Sequence, residues 1–125
     1  MEKKFLELND ISAYKIAFKL SNYVWNIVIK WDTFARITLG EQFVKAVDSI
    51  SANIAEGFGR YHKKDKIHHY RISHGSVIES LDWSEKAMKR KLLTQEEYEF
   101  ILEELKRLPK EINSLIQFTN QKLSI

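Results

Sequence analysis

Four long segments of this chain carry apolar residues at steps of three and four, with few helix breakers between them. That spacing returns side chains to one face of an α-helix, whereas a strand would need strict alternation. With one proline and four glycines in 125 residues, the chain has too few turn formers for a many-stranded β protein.

The first segment covers about residues 11–31, with Asp10 placed to cap it. Tyr14, Phe18, Ser21, Trp25 and Val28 share one face, and Ala13, Ile16, Leu20, Val24, Ile27 and Trp31 form a second apolar stripe beside it. A helix in an isolated bundle needs one such stripe. The surplus stripe ending at Trp31 therefore predicts contact between copies of the chain.

TLGE, from Thr38 to Glu41, has the form of a capping box and opens a second helix over residues 39–61. Its inner face reads Phe43, Val47, Ile50, Ile54, Phe58 and Tyr61. After an HKKD loop, Asp65 caps a third helix over residues 66–91, with Ile67, Tyr70, His74, Val77, Leu81, Ser84 and Met88 inward. A second box, Thr94 to Glu97, opens the fourth, whose inner face holds Tyr98, Ile101, Leu105, Leu108, Ile112, Leu115 and Thr119. Pro109 lies inside this run and predicts a kink. Short connections make neighbours antiparallel. The expected fold is all-α, an up-down-up-down antiparallel four-helix bundle, one domain over residues 1–125.

A content of 44% hydrophobic and 30% charged residues suits a soluble domain with its own core. The absence of cysteine removes disulfide frameworks and thiolate chemistry. MEKKFLELND has no apolar core of signal-peptide length, and no apolar run is long enough to span a bilayer. The expectation is a cytoplasmic protein with no membrane partner. A net charge of +3 and a pI near 9.0 are compatible with nucleic-acid binding.

One stretch stands out, SISANIAEGFGR from Ser49 to Arg60. Ser49, Asn53, Glu56 and Arg60 form a polar stripe along the second helix, and Gly75, Ser76 and Glu79 face it from the third. Gly57 and Gly75 predict a close approach of the two helices. Across that seam, Asn53, Glu56, Ser76 and Glu79 are read as a structural polar network, with Arg71 or backbone groups as further partners. The competing reading is acid/base chemistry by Glu56 and Glu79 with His74. Packing is preferred, because no nucleophile motif accompanies those carboxylates.

SxSANIAEGFGR followed by GSxxE (Gly75, Ser76, Glu79) resembles the small four-helix-bundle proteins encoded within intervening sequences of bacterial 23S ribosomal RNA genes. NIAEG, Asn53 to Gly57, is the most specific part; Ser51 stands where the family often has proline. The resemblance implies a helical bundle that assembles into rings, often pentamers. The chain is also similar to the accessory ring proteins of diversity-generating retroelements, which implies a basic ring that binds nucleic acid.

Other constellations are less productive. His62, His68, His69 and His74 make no Glu-x-x-His pair, and Asp65 to His68 is the nearest approach, so no metal or cofactor is expected. Neither Arg60–His68 nor Arg71–His74 has the spacing found in some helical-bundle ribonucleases. The cations are more informative. Arg60, Lys63, Lys64, Lys66 and Arg71 gather at one end, joined by Lys3, Lys4 and Lys122, with Glu2, Glu7, Asp10 and Asp65 as nearby acids. Lys86, Lys89, Arg90 and Lys91 gather at the other, where Glu96, Glu97, Glu99, Glu103 and Glu104 should neutralise them. Tyr61 and Tyr70 flank the first cluster, placed either to stack on bases or to pack inside.

These readings converge on a non-enzymatic, ring-forming accessory protein. It would bind structured RNA, or DNA, electrostatically and with low sequence specificity through Arg60, Lys63, Lys64, Lys66 and Arg71. The alternatives are a protein–protein interaction module and an enzyme using Glu56, His74 and Glu79.

Overall fold

A computed structural model describes residues 6–123, and among these no strand occurs. Four helices dominate: α1 (Ser12–Val28), α2 (Glu41–Gly59), α3 (Lys63–Lys89) and α4 (Gln95–Lys122). A 3-10 turn, Leu8–Asp10, precedes α1, and a helical turn, Thr33–Ala35, and a π-helical turn, Arg36–Gly40, lead directly into α2. The pair α2–α3 makes the most extensive contact, followed by α3–α4 and α1–α2, and α1 against α4 closes the ring. The architecture is the expected up-down-up-down bundle.

Its core is assembled from one face of each helix. Leu20 and Val24, then Phe43, Val47, Ile50 and Ile54, then Tyr70 and Val77, then Ile101, Leu105, Leu108 and Ile112 are fully buried. Each such side chain contributes about 1.5–3 kcal/mol through removal from water. On α1 the stripe that leads to Trp31 is the one that faces the core, through Ala13, Ile16, Leu20 and Val24, with Trp31 buried just beyond the helix. The other stripe divides: Ser21 and Val28 are buried, while Phe18 and Trp25 stand about half exposed. The surplus surface is thus the Tyr14–Phe18–Trp25 stripe and not the one ending at Trp31.

On α3, four core-facing positions are serines: Ser73, Ser76, Ser80 and Ser84. Their hydroxyls find partners inside. Ser73 donates to the Ile50 carbonyl across the seam at 2.8 Å, and Ser80 and Ser84 donate to the carbonyls of Ser76 and Leu81. Small side chains here bring α2 and α3 together, and Gly57 brings them closer still. A Cβ on Gly57 would stand 2.6 Å from Tyr70 Cε1 and 2.9 Å from the Lys66 carbonyl oxygen. Gly75 has no such role, since a Cβ there would meet nothing within 4 Å.

The helix starts differ from expectation in three places. Asp10 does not cap α1; its carboxylate accepts from the Glu7 backbone N–H at 2.7 Å, and Ile11 occupies the cap position. The Thr38 box does not form either. Asp32 starts the helix six residues earlier by accepting from the Ala35 N–H at 3.0 Å. The chain is already helical at Thr38, whose hydroxyl donates back to the Phe34 carbonyl at 2.6 Å. Most of the HKKD segment is also helix: His62 is the extended N-cap, α3 begins at Lys63, and Asp65 sits in its first turn, where a carboxylate favours the helix dipole.

The remaining boundary signals follow local chemistry. Thr94 accepts from the Glu97 N–H at 3.1 Å while the Glu97 carboxylate accepts from the Thr94 N–H at 2.9 Å, forming the box in full. At the end of α3, Lys91 adopts φ 62°, and the N–H groups of Leu92 and Lys91 reach the carbonyls of Ala87 and Met88. That is the Schellman arrangement, here with lysine at the left-handed position. The helix α4 continues through Pro109 to Lys122. Trp31 Nε1 donates to the Leu92 carbonyl at 3.0 Å, tying the α1–α2 connection to the α3–α4 connection.

Candidate nucleic-acid interface

The α2–α3 seam holds part of the expected polar network. Asn53 Nδ2 donates to the Ser49 carbonyl and to Ser49 Oγ, both at 2.9 Å, and Ser76 Oγ donates to Ser49 Oγ at 2.9 Å. His69 Nδ1 stands 3.5 Å from Asn53 Oδ1. Asn53 and Ser76 are thus joined through Ser49, which bridges the helices.

The two glutamates are not part of it. Glu56 is exposed and pairs with Arg60 at 2.8 Å, four residues along its own helix. Glu79 is exposed and accepts from Trp83 Nε1 at 3.1 Å. The physical reason is the same for both: a carboxylate with a donor four residues on is satisfied in solvent, and burial would add a desolvation cost. Among the described residues, no hydrogen bond or ion pair joins any two of Glu56, His74 and Glu79. No group of three or more His, Cys, Asp or Glu residues among them is placed to hold a metal ion.

The cations of the α2–α3 end separate into two sets. Arg60 is engaged with Glu56. Lys66 turns inward: its Nζ donates to the Phe58 carbonyl at 2.7 Å and to the Gly57 carbonyl at 3.4 Å, and it lies 5.6 Å from the Phe58 ring centre. The Gly57 carbonyl also accepts the Arg60 backbone N–H at 3.2 Å, and the Phe58 carbonyl lies past the last such bond, so Lys66 acts as a C-terminal cap of α2. Burial holds its pKa below the ordinary lysine value. Lys66 is accordingly a structural residue rather than a free surface charge.

Lys63, Lys64 and Arg71 form the second set. With Ile67 and His68 they line a groove on the first turns of α3, closed on one side by Asn120 of α4. Among the described residues no carboxylate lines it, and Lys64, His68 and Arg71 follow the four-three spacing of one helix face. Sequence reading weighed His68 as a metal ligand and, with Arg60, as a ribonuclease pair, and passed over Asn120. The spacing was readable for His68, whereas Asn120 arrives from a distant segment. Lys122 ends α4 at the same pole, and Lys3 and Lys4 lie outside the described residues. Of the two tyrosines, Tyr61 is 75% exposed in the turn before α3, while Tyr70 is buried beneath Gly57, away from any ligand. Burial pushes the Tyr70 phenol up to about 12.

At the opposite pole, Lys86 pairs with Asp82 at 2.6 Å and lies over the Trp83 ring. The acids of α4 do not form ion pairs with Lys89, Arg90 and Lys91. Glu97 caps Thr94, Glu99 accepts from Gln95, and Glu104 pairs with Arg107. Their effect on that cluster is therefore one of nearby field rather than of contact. A second groove, largely apolar, runs between Trp25 of α1, Ile29 just past its end and Val44 of α2, over Gly40.

Residues 9–114 match the family described as 23S rRNA-intervening sequence protein. The chain belongs to this family. The matched region contains the Asn53–Gly57 stretch, Gly75 to Glu79 and the cations from Arg60 to Arg71, and it ends before Asn120. A crystal structure at 1.70 Å of a protein of unknown function from the S23 ribosomal protein family of Bacteroides thetaiotaomicron VPI-5482 has the same fold. The TM-score is 0.73 at 21% identity, covering 83% of this chain and 97% of that one. No curated protein matches the sequence. Among the described residues, no helix is long and apolar enough to cross a membrane.

Proposed function

We propose that this chain is a non-enzymatic nucleic-acid-binding accessory protein of the cytoplasm, with RNA as its favoured ligand. The observation that carries the reading is the acid-free groove of Lys63, Lys64, His68 and Arg71. Basic side chains on a surface usually stand among carboxylates; three cations and an imidazole without one make a site for phosphates. The family's description refers to an intervening sequence of 23S rRNA, which makes RNA the first ligand to test. Glu56 and Glu79 are each exposed and engaged by a donor four residues on along their own helices, which supports a binding role over acid/base chemistry.

The chain acts as a homo-oligomer, with the pentamer implied by the family resemblance as the working form. Trp25 and Ile29 line the apolar groove, and Phe18, Trp25, Ile29 and Ile37 are each about half exposed, apolar surface suited to a second copy. In a closed ring the basic groove would recur once per subunit, and weak phosphate contacts would multiply.

The test is a titration of RNA binding against salt. With about three phosphates met per subunit, the slope of log K on log salt should be about −2 to −3 for a single engaged groove, and steeper for a ring. No binding to RNA or DNA at low salt would refute the reading. It would favour a protein-interaction module acting through the Trp25 groove.

A further inference from the structure

We propose that the basic groove takes single-stranded nucleic acid, with an unpaired base stacked on Tyr61 and the backbone laid along Lys63, Lys64 and Arg71. The inference rests on the nucleic-acid reading above and narrows its ligand.

Tyr61 lies in the turn between α2 and α3, immediately before the two lysines. It continues the apolar spacing of α2, yet it is 75% exposed and takes no place in the core. Its ring meets the His62 ring edge-on at 5.0 Å and 83°, and most of Tyr61 stays open two residues before Lys63, the first residue of the groove. An exposed ring next to unpaired cations is the combination that single-strand binders use, since every base has a π-face to stack. Duplex bases are already stacked on one another and offer no face to Tyr61.

The dimensions agree. From Lys63 to Arg71 the helix rises about 12 Å, roughly a third of a duplex turn of about 34 Å. The patch therefore suits a few nucleotides rather than a length of duplex. Ile67 gives the groove an apolar element between the lysines and the arginine, against which a sugar or base can rest. Phosphates are served by the cations, and the base is served by the ring.

The experiment compares an unstructured RNA strand with an RNA duplex of equal length, by fluorescence anisotropy at low salt. The wild-type protein should bind the single strand about tenfold more tightly. Tyr61→Ala should weaken single-strand binding by about tenfold and leave duplex binding unchanged, and Tyr61→Phe should retain the wild-type affinity. Equal affinity for strand and duplex, or equal losses on both with Tyr61→Ala, would overturn the inference while leaving nucleic-acid binding intact. Binding to neither ligand would overturn both. Circular dichroism of the variants guards the comparison, and an exposed turn residue should not disturb the fold.

Discussion

Replacing Gly57 with alanine should destabilise the protein, although alanine is the better helix former. The propensity gain is about 1 kcal/mol in a helix interior. Against it stands the seam. The new Cβ would lie 2.6 Å from Tyr70 Cε1, and ordinary contact begins near 3.4 Å, so the ring must retreat by about 0.8 Å (3.4 less 2.6). Tyr70 is 2% exposed and has no free space to enter. The Lys66 carbonyl, at 2.9 Å, is backbone and moves only with α3 itself. Overpacking of this kind costs about 1–3 kcal/mol. Separation of the helices would also stretch the Ser73–Ile50 and Ser76–Ser49 bonds, each worth about 1 kcal/mol. The net expectation is a loss of about 1–2 kcal/mol, or a Tm lower by roughly 4–8 °C. Gly75→Ala is the control. A Cβ there meets nothing within 4 Å, so it should stabilise by about 0.5–1 kcal/mol. Urea unfolding at one protein concentration reads both variants. If Gly57→Ala is as stable as the wild type, the close-approach argument is wrong.

Further outcomes follow from the caps, the buried phenol and the apolar face. Asp32→Ala should cost about 1 kcal/mol by thermal unfolding and Thr38→Val almost nothing, because Asp32 starts the helix and Thr38 does not. Burial raises the Tyr70 pKa from 10.0 in the unfolded chain to about 12, so its contribution is complete below pH 10 and lost as pH rises to 12. That loss is about 2–3 kcal/mol, and stability measured against pH should flatten across this window in Tyr70→Phe. Light scattering should find an oligomer that Trp25→Glu dissociates, since a charge would enter the exposed apolar stripe; a wild-type monomer at micromolar concentration would contradict the assembly.

The bundle was legible because apolar spacing decides helices and short connections decide their order. Features set within a few residues, such as the Thr94–Glu97 box, were readable in full. Thr38 and Glu41 carry the same letters, but Asp32 upstream had already started the helix, and a local motif does not reveal what precedes it. Both stripes of α1 are apolar, so periodicity alone could not say which one the core would take. On α3 the core side is written partly in serines, which a search for apolar residues passes over. In the candidate site, Lys64, His68 and Arg71 share a face by spacing alone. Lys66 sits within the same run of charge, yet it is withdrawn by the Phe58 carbonyl at the end of α2. Its role depends on the angle at which α2 hands over to α3, which no local pattern encodes. Glu56 and Asn53 share a sequence stripe, but Arg60 holds the first in solvent and Ser49 holds the second in the seam.

The central claim is that the groove at the start of α3 is the nucleic-acid surface. The most direct measurement compares two double charge reversals in RNA binding at low salt, Lys63→Glu with Lys64→Glu, and Lys89→Glu with Lys91→Glu. The first pair lines a groove with no carboxylate among the described residues, while the second lies close to the acidic first turn of α4. The account predicts a loss of at least tenfold for the first pair, with a shallower salt slope, and a much smaller loss for the second. Equal losses from both pairs would contradict it.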